Sequence, residues 1–132
     1  MTNITRHAAD LMAEANALIT TLTVDQAREL LGRDDVAFID IRDPRELERE
    51  GRIPGAFSCP RGMLEFWIDP DSPYAKPVFQ EDKQFVFFCA GGLRSALATR
   101  TAQEMGLSPV AHIEGGFGAW RKAGAPVDPP EG

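Results

Sequence analysis

The chain has 132 residues, a formal net charge of −6 and two cysteines, Cys59 and Cys89. That length suffices for one domain burying about two thirds of its unfolded surface without staples, and two thiols exclude a disulfide-rich scaffold and fit a reducing compartment. The acidic balance, with no dense stripe of Lys and Arg, excludes nucleic acid and anionic membrane as expected partners and leaves small molecules or basic protein patches.

The N-terminal stretch MTNITRHAADLMAEANALIT is too polar for a signal-peptide core. No segment approaches the roughly 18 apolar residues of a membrane span, so the expectation is a soluble, cytoplasmic protein. Ala8, Leu11, Met12, Ala15, Leu18 and Ile19 fall on one helical face, which predicts an amphipathic helix over 5–18. Ile19 to Leu22 reads as a short strand. Thr23 and Gln26 form a capping box that opens a helix closed by Gly32.

Val36 to Ile39 is a short apolar run without alternation, the pattern of a strand covered on both faces, and Asp40 ends it. Pro44 begins a polar helix through Glu50, capped by Gly51. Ile53 to Cys59 reads as a loop leading to a brief strand. The proline-rich segment 60–82 predicts an ordered excursion with a short helix near Met63 to Ile68, whose aromatics Phe66, Trp67, Tyr74 and Phe79 are expected to pack.

Phe85 to Phe88 is the second buried strand, Ser95 to Met105 a helix ended by Gly106, and Val110 to Ile113 a third strand. Gly115-Gly116 and a short helix to Lys122 follow, and the tail APVDPPEG is expected to fray. Strands alternating with helices imply a parallel α/β sheet. Gly115, Gly116 and Gly118 do not complete a dinucleotide fingerprint, because Arg121 stands at its last position, and a turn with close backbone packing explains them better.

The chemistry centres on FVFFCAGGLRSALATR, residues 85–100. Cys89 stands at the carboxyl end of a strand, where open α/β sheets bind ligands. The glycines allow Ala90 to Arg94 to curl so that successive N–H groups form an anion nest, and the following helix adds its positive end. Such a cradle favours thiolate over thiol, and Arg94 can supply a permanent cation. The plain alternative is a small buried hydrophobe; the ordered set of strand, cysteine, four small or apolar residues, arginine and helix favours the nucleophile.

CAGGLRS resembles the active-site loop of rhodanese-type sulfurtransferases, in which cysteine, four residues and arginine form a six-residue arc. Asp40-Ile41-Arg42, Glu46 and GRIPGA at 51–56 resemble the family's upstream signature, and EGGFGAWRKAGAPV at 114–127 its downstream one. Outside the likeness lie an N-terminal helical extension over 1–18 and a flexible tail over 128–132; between them the likeness implies a three-layer α/β/α domain over 19–127 with a mostly parallel sheet of about five strands. It also implies transfer of a sulfane sulfur from thiosulfate, a persulfide or a polysulfide, through a Cys89 persulfide, to a thiol or cyanide. Ala90, Gly91, Gly92, Leu93, Arg94 and Ser95 would bind the sulfur, no metal or organic cofactor would be required, and a protein could serve as donor or acceptor. The extension could cover the domain or mediate self-association.

Two rivals stand beside this reading. Cysteine phosphatases and arsenate reductases resemble C-x5-R, one residue longer than the arc here, and many such phosphatases carry histidine where this chain has Phe88. A rhodanese-like sulfur carrier or binding module with little turnover is the other. Asp40, Arg42 and Glu46 suit an ion-pair and capping network better than acid-base chemistry. Cys59 suits buried packing, with a Cys59–Cys89 bond possible only if their Cα atoms lie within about 7 Å. His7 and His112 are isolated and make no metal site.

Overall fold

The computed structural model describes residues 3–130. Helix α1 (Ala8–Leu18) precedes β1 (Thr20–Leu22), α2 (Val24–Leu30), β2 (Val36–Asp40), α3 (Pro44–Glu50) and β3 (Phe57–Ser58). There follow α4 (Leu64–Ile68), β4 (Gln84–Phe88), α5 (Leu93–Glu104), β5 (Val110–Ile113) and α6 (Gly116–Lys122), with 3-10 turns at Arg61–Met63 and Pro77–Gln80. The strands form one five-stranded sheet in the order β1-β5-β4-β2-β3, and every pairing is parallel. No helix among the described residues is long and apolar enough to cross a membrane.

The unbroken apolar runs of β2 and β4 are explained by what covers them. Alternate residues Ala37, Ile39, Phe85, Phe87 and Cys89 face a core completed by Leu64 and Ile68 of α4, Phe79, and Ala98 and Ala102 of α5. Phe38, Val86, Phe88 and Ile113 face the opposite core with Ala27 of α2 and Phe117 and Trp120 of α6. Phe38 meets Trp120 edge-on at 5.9 Å. Each fully buried side chain of this size contributes about 1.5–3 kcal/mol of transfer free energy, so the two middle strands anchor both layers. Of the excursion's aromatics, Trp67 and Phe79 pack on Phe57, whereas Phe66 and Tyr74 lie exposed.

The capping residues act as their chemistry predicts. Thr23 Oγ1 accepts from Gln26 N–H and Gln26 returns its side-chain oxygen to Thr23 N–H; Asp43 and Glu46 repeat the arrangement at α3, and Gly51 ends that helix at φ +87°. At α1 the Asp10 carboxylate accepts from His7 N–H at 2.8 Å, which starts the helix at Ala8 and leaves Thr5 and Arg6 outside it. The helix packs on α5 with Ala15 buried, so it covers the domain. Met1 and Thr2 of the extension lie outside the described residues.

The tail does not fray where the sequence suggests. Trp120 Nε1–H donates to Pro126 O at 2.7 Å, Ala125 is buried, and Arg52 and Asp128 exchange main-chain hydrogen bonds of 3.0 and 2.8 Å. Backbone pairing and a buried indole hold proline-rich chain that has no helix or sheet of its own to join. Positions 131 and 132 of the tail lie outside the described residues.

Because all strands run the same way, their carboxyl ends line one edge, with β4 in the middle. Two features brace that edge. Asp40 and Arg42 are fully buried; Arg42 Nε and Nη2 bind both carboxylate oxygens at 2.8–3.2 Å, Nη2 also donates to Gly51 O at 2.9 Å, and the guanidinium lies 4.1 Å from the Phe117 ring centre. That pair ties the end of β2 to α3 and α6. The second brace is Gly116, at φ +60°, where an added Cβ would lie 2.3 Å from Cys89 O. The close approach lets Phe117 N–H donate to Cys89 O at 2.7 Å and Gly118 N–H to Ala90 O at 2.9 Å.

Two stability outcomes follow from these braces. Asp40→Ala removes the bidentate partner of a fully buried guanidinium, leaving it only Glu50 Oε2 at 3.6 Å, and is expected to lower unfolding free energy by about 3–5 kcal/mol in urea titration, whereas replacing Asp40 and Arg42 together by Leu and Met costs less than either single change. Gly116→Ala meets backbone as well as an unfavourable φ and is expected to cost more than about 2 kcal/mol, while Gly124→Ala, at φ +77° with open space around it, costs only about 1 kcal/mol.

Candidate active site

Cys89 follows Phe88 directly, and its side chain falls on the α5 face of the sheet with Phe87 excluded from solvent beside it. Gly92, at φ +95°, turns the chain so sharply that α5 starts at Leu93 rather than at Ser95 as its sequence suggests. A side chain at Gly92 would also press within 3.3 Å of Gly115 N. The early start places Ser95 in the first helical turn, where main-chain N–H groups have no partner within the helix. Ser95 N–H therefore donates to Cys89 Sγ at 3.3 Å, and Gly92 N–H donates to it at 3.1 Å. The Ser95 hydroxyl lies 3.5 Å from the same sulfur.

These donors oppose desolvation. A thiolate stripped of water is unfavourable unless hydrogen bonds replace hydration, and Cys59 shows the uncompensated case: burial pushes its thiol up to about 12. Both cysteines are free and buried. Cys89 differs in receiving two main-chain N–H groups and facing the amino end of a helix.

Arg94, expected both to fix the loop and to help keep the thiolate charged, makes its side-chain hydrogen bonds to a carboxylate. Its Nη1 and Nη2 bind Glu46 Oε2 and Oε1 at 2.9 and 3.0 Å, a bidentate pair that joins the first turn of α5 to α3. Glu46 Oε2 also accepts from Asp43 N–H at 2.8 Å. The Arg94 guanidinium, then that N–H, hold the Glu46 carboxyl below its ordinary value, and Glu46 in turn raises Arg94, with a smaller contribution from Cys89. Arg94 thus fixes the loop through Glu46.

Of the remaining loop residues, Ala90 is half-buried, Gly91 exposed, and Leu93, at the start of α5, 67% exposed. Gly91, Gly92 and Leu93 border a groove of about 360 Å³ with Met12 and Asn16 of α1, Thr21, His112, Glu114 and Gly115. The N-terminal extension therefore walls the site. His112, isolated in the sequence, sits beside the cysteine loop: its Nδ1 is 2.9 Å from Ser95 Oγ, and its Nε2 is 3.2 Å from Thr21 Oγ1. Nothing in residue spacing signals this contact. It depends on the register that sets His112 opposite Phe87 and Thr21.

A buried thiol that receives two main-chain N–H donors, on a loop that borders a groove, can take up and release a group that carries negative charge. A sulfurtransferase of Allochromatium vinosum is 30% identical over 106 residues, covering 80% of this chain and 91% of that protein. A structure from Rhodopseudomonas palustris, described as a protein of unknown function and possible tyrosine phosphatase, is 67% identical with a TM-score of 0.94, covering 97% of this chain and 98% of that one. A rhodanese-related protein of Thermoplasma volcanium is 27% identical with a TM-score of 0.68, covering 83% of this chain and 97% of that one. The Rhodanese-like domain matches residues 23–123, and with that match over most of its length the chain belongs to the rhodanese-like domain family.

Proposed function

We propose that the protein is a sulfurtransferase that carries sulfane sulfur as a persulfide on Cys89. The observation that supports this most directly is the convergence of Gly92 N–H and Ser95 N–H on Cys89 Sγ, inside an arc with four residues between cysteine and arginine. Membership of a family with sulfurtransferase-named relatives supports the same chemistry. In the first half-reaction Cys89 thiolate attacks the outer sulfur of thiosulfate, a persulfide or a polysulfide. The new S–S bond forms as the donor's S–S bond breaks, and the remainder (sulfite, in the case of thiosulfate) leaves with the electron pair. In the second, an acceptor thiolate or cyanide attacks the terminal sulfur and Cys89 leaves as thiolate.

The terminal sulfur bears charge between the two steps. The main chain from Ala90 to Ser95 stabilises it, while the Arg94–Glu46 pair keeps the arc in shape and Leu93 offers apolar contact to the body of a donor or acceptor. The free thiols suit a reducing, cytoplasmic setting. Neither half-reaction needs a metal or organic cofactor.

The Rhodopseudomonas palustris relative's description brings in a second reading, phosphate-ester hydrolysis. Four residues between Cys89 and Arg94 leave the arc one short of the C-x5-R pattern, and the guanidinium that would clamp a phosphate is engaged with Glu46. Both points favour a single sulfur over a tetrahedral dianion.

The reduced protein mixed with thiosulfate or a persulfide is expected to gain one sulfur on the Cys89 peptide by mass, a gain that Cys89→Ser abolishes and Cys59→Ser leaves intact. Sulfur on Cys59 alone, or aryl-phosphate turnover that requires Cys89, would overturn the assignment. The loop anchor has its own signature. Glu46→Gln is expected to slow sulfur transfer about tenfold at pH 7. Because the Glu46 carboxyl is held low in the folded chain, its stabilisation is complete above the ordinary carboxylate range and is lost as the pH falls through the lowered value. The stability gap between wild type and Glu46→Gln, measured by urea unfolding, therefore closes on acidification below about pH 4.

A further inference from the structure

Cys89 is 1% exposed, so bulk water has little access to the thiol proton that must leave before the sulfur can attack. A path of hydrogen-bonding groups leads away from it. Ser95 Oγ lies 3.5 Å from Cys89 Sγ, His112 Nδ1 lies 2.9 Å from Ser95 Oγ, and Thr21 Oγ1 lies 3.2 Å from His112 Nε2. Ser95 and His112 are buried, and Thr21 is exposed on the edge strand β1. The geometry of Ser95 is fixed by its place in the first turn of α5, where Thr99 Oγ1–H donates to its carbonyl at 2.7 Å.

We infer that His112, acting through the Ser95 hydroxyl, is a positioning residue that accepts the Cys89 proton and delivers it to solvent at Thr21. The inference rests on Cys89 being the sulfur-accepting nucleophile and deepens that reading by naming the route of its proton. Protons balance along the chain of groups. With Cys89 as thiol, S–H donates to Ser95 Oγ, Ser95 O–H donates to His112 Nδ1, and His112 Nε2–H donates to Thr21 Oγ1. Ionisation moves the thiol proton to Ser95 Oγ as the serine proton moves to Nδ1, leaving a thiolate and an imidazolium. The Nε2 proton then departs through the exposed hydroxyl to water. The ring remains neutral with its proton on Nδ1, and Ser95 O–H now donates to the thiolate. The same reversal steadies Cys89 when an acceptor takes its sulfur and it leaves as thiolate.

The surroundings keep the ring neutral, with Nδ1 facing the Ser95 hydroxyl. Burial holds the imidazole below its usual range, opposed by Glu114 on the loop after β5. The other charged or titratable groups near the path are Cys89 itself and Arg94, the latter paired with Glu46 of α3. From α1 and β1 the groove beside the ring receives Met12, Asn16 and Thr21, none of them charged.

The test is the pH profile of Cys89 alkylation by iodoacetamide, read by peptide mass so that Cys59 is counted separately, in wild type, His112→Gln, Ser95→Ala and the double variant. His112→Gln is expected to react about tenfold more slowly at pH 7, with its profile displaced about one pH unit to alkali. Ser95→Ala should behave similarly, and the double variant should react no more slowly than Ser95→Ala. A His112→Gln profile that overlays wild type, or losses that multiply in the double variant, would overturn the relay. Should a variant fail to fold, wild-type protein decides by 15N NMR of its two histidines, His7 and His112. The His112 proton is expected to shift from Nε2 to Nδ1 over the pH range in which Cys89 becomes reactive, and a ring indifferent to that transition would contradict the relay. Alkylation needs no sulfur donor, so a protein that passes this test yet takes up no sulfur would leave the relay standing while ending the sulfurtransferase reading.

Discussion

The hydrogen bond from Phe117 N–H to the Cys89 carbonyl, with its neighbour from Gly118 N–H to Ala90, is the constraint on which the site depends. Both are possible only because Gly116 carries no side chain in a space where a Cβ would overlap the Cys89 carbonyl. They pin the back of the cysteine loop to α6, leaving the loop's N–H groups free to turn inward. Gly92, against Gly115, does the same at the other end. Two loops from adjacent parallel strands are thereby locked main chain to main chain, and the arc between Cys89 and Ser95 takes its shape from that contact together with the Arg94–Glu46 pair.

This explains how a loop of alanine, glycines and leucine can carry chemistry. The comparison of the two cysteines within one molecule makes the same point. Cys59 is buried against apolar groups and driven towards the neutral thiol. Cys89 is no more exposed, yet its sulfur receives two amides and stands by a serine hydroxyl. The two thiols are alike in burial and differ in the donors that reach the sulfur. The charged groups around the site serve mainly to hold frame elements: Asp40–Arg42 ties β2 to α3 and α6, and Glu46–Arg94 ties α3 to α5.

Much of this frame was legible in the sequence because local signals and tertiary demands agree there. The capping pairs Thr23–Gln26 and Asp43–Glu46 mark helix starts without reference to the rest of the fold, and the runs at 36–39 and 85–88 mark strands covered on both faces. The cysteine and its glycines announced a cradle by their order. What stayed hidden depends on distant contacts. The start of α5 moved because Gly92 is held in the left-handed region against Gly115. The tail is ordered because Asp128 pairs with Arg52, a partner far away in sequence. Arg94 meets Glu46, and His112 meets Ser95, only once the sheet order is known. Residue type marked the cysteine; topology chose its neighbours.

The central claim is that the main chain between Cys89 and Ser95, rather than charged side chains, holds a transferable sulfur. The most direct measurement is a high-resolution crystal structure of the protein loaded with sulfur from a persulfide donor. One additional atom is expected bonded to Cys89 Sγ, lying inside the arc within hydrogen-bonding distance of its backbone N–H groups, with the Phe117 and Gly118 hydrogen bonds unbroken. A sulfur directed out of the arc, or bound at Cys59, would contradict it.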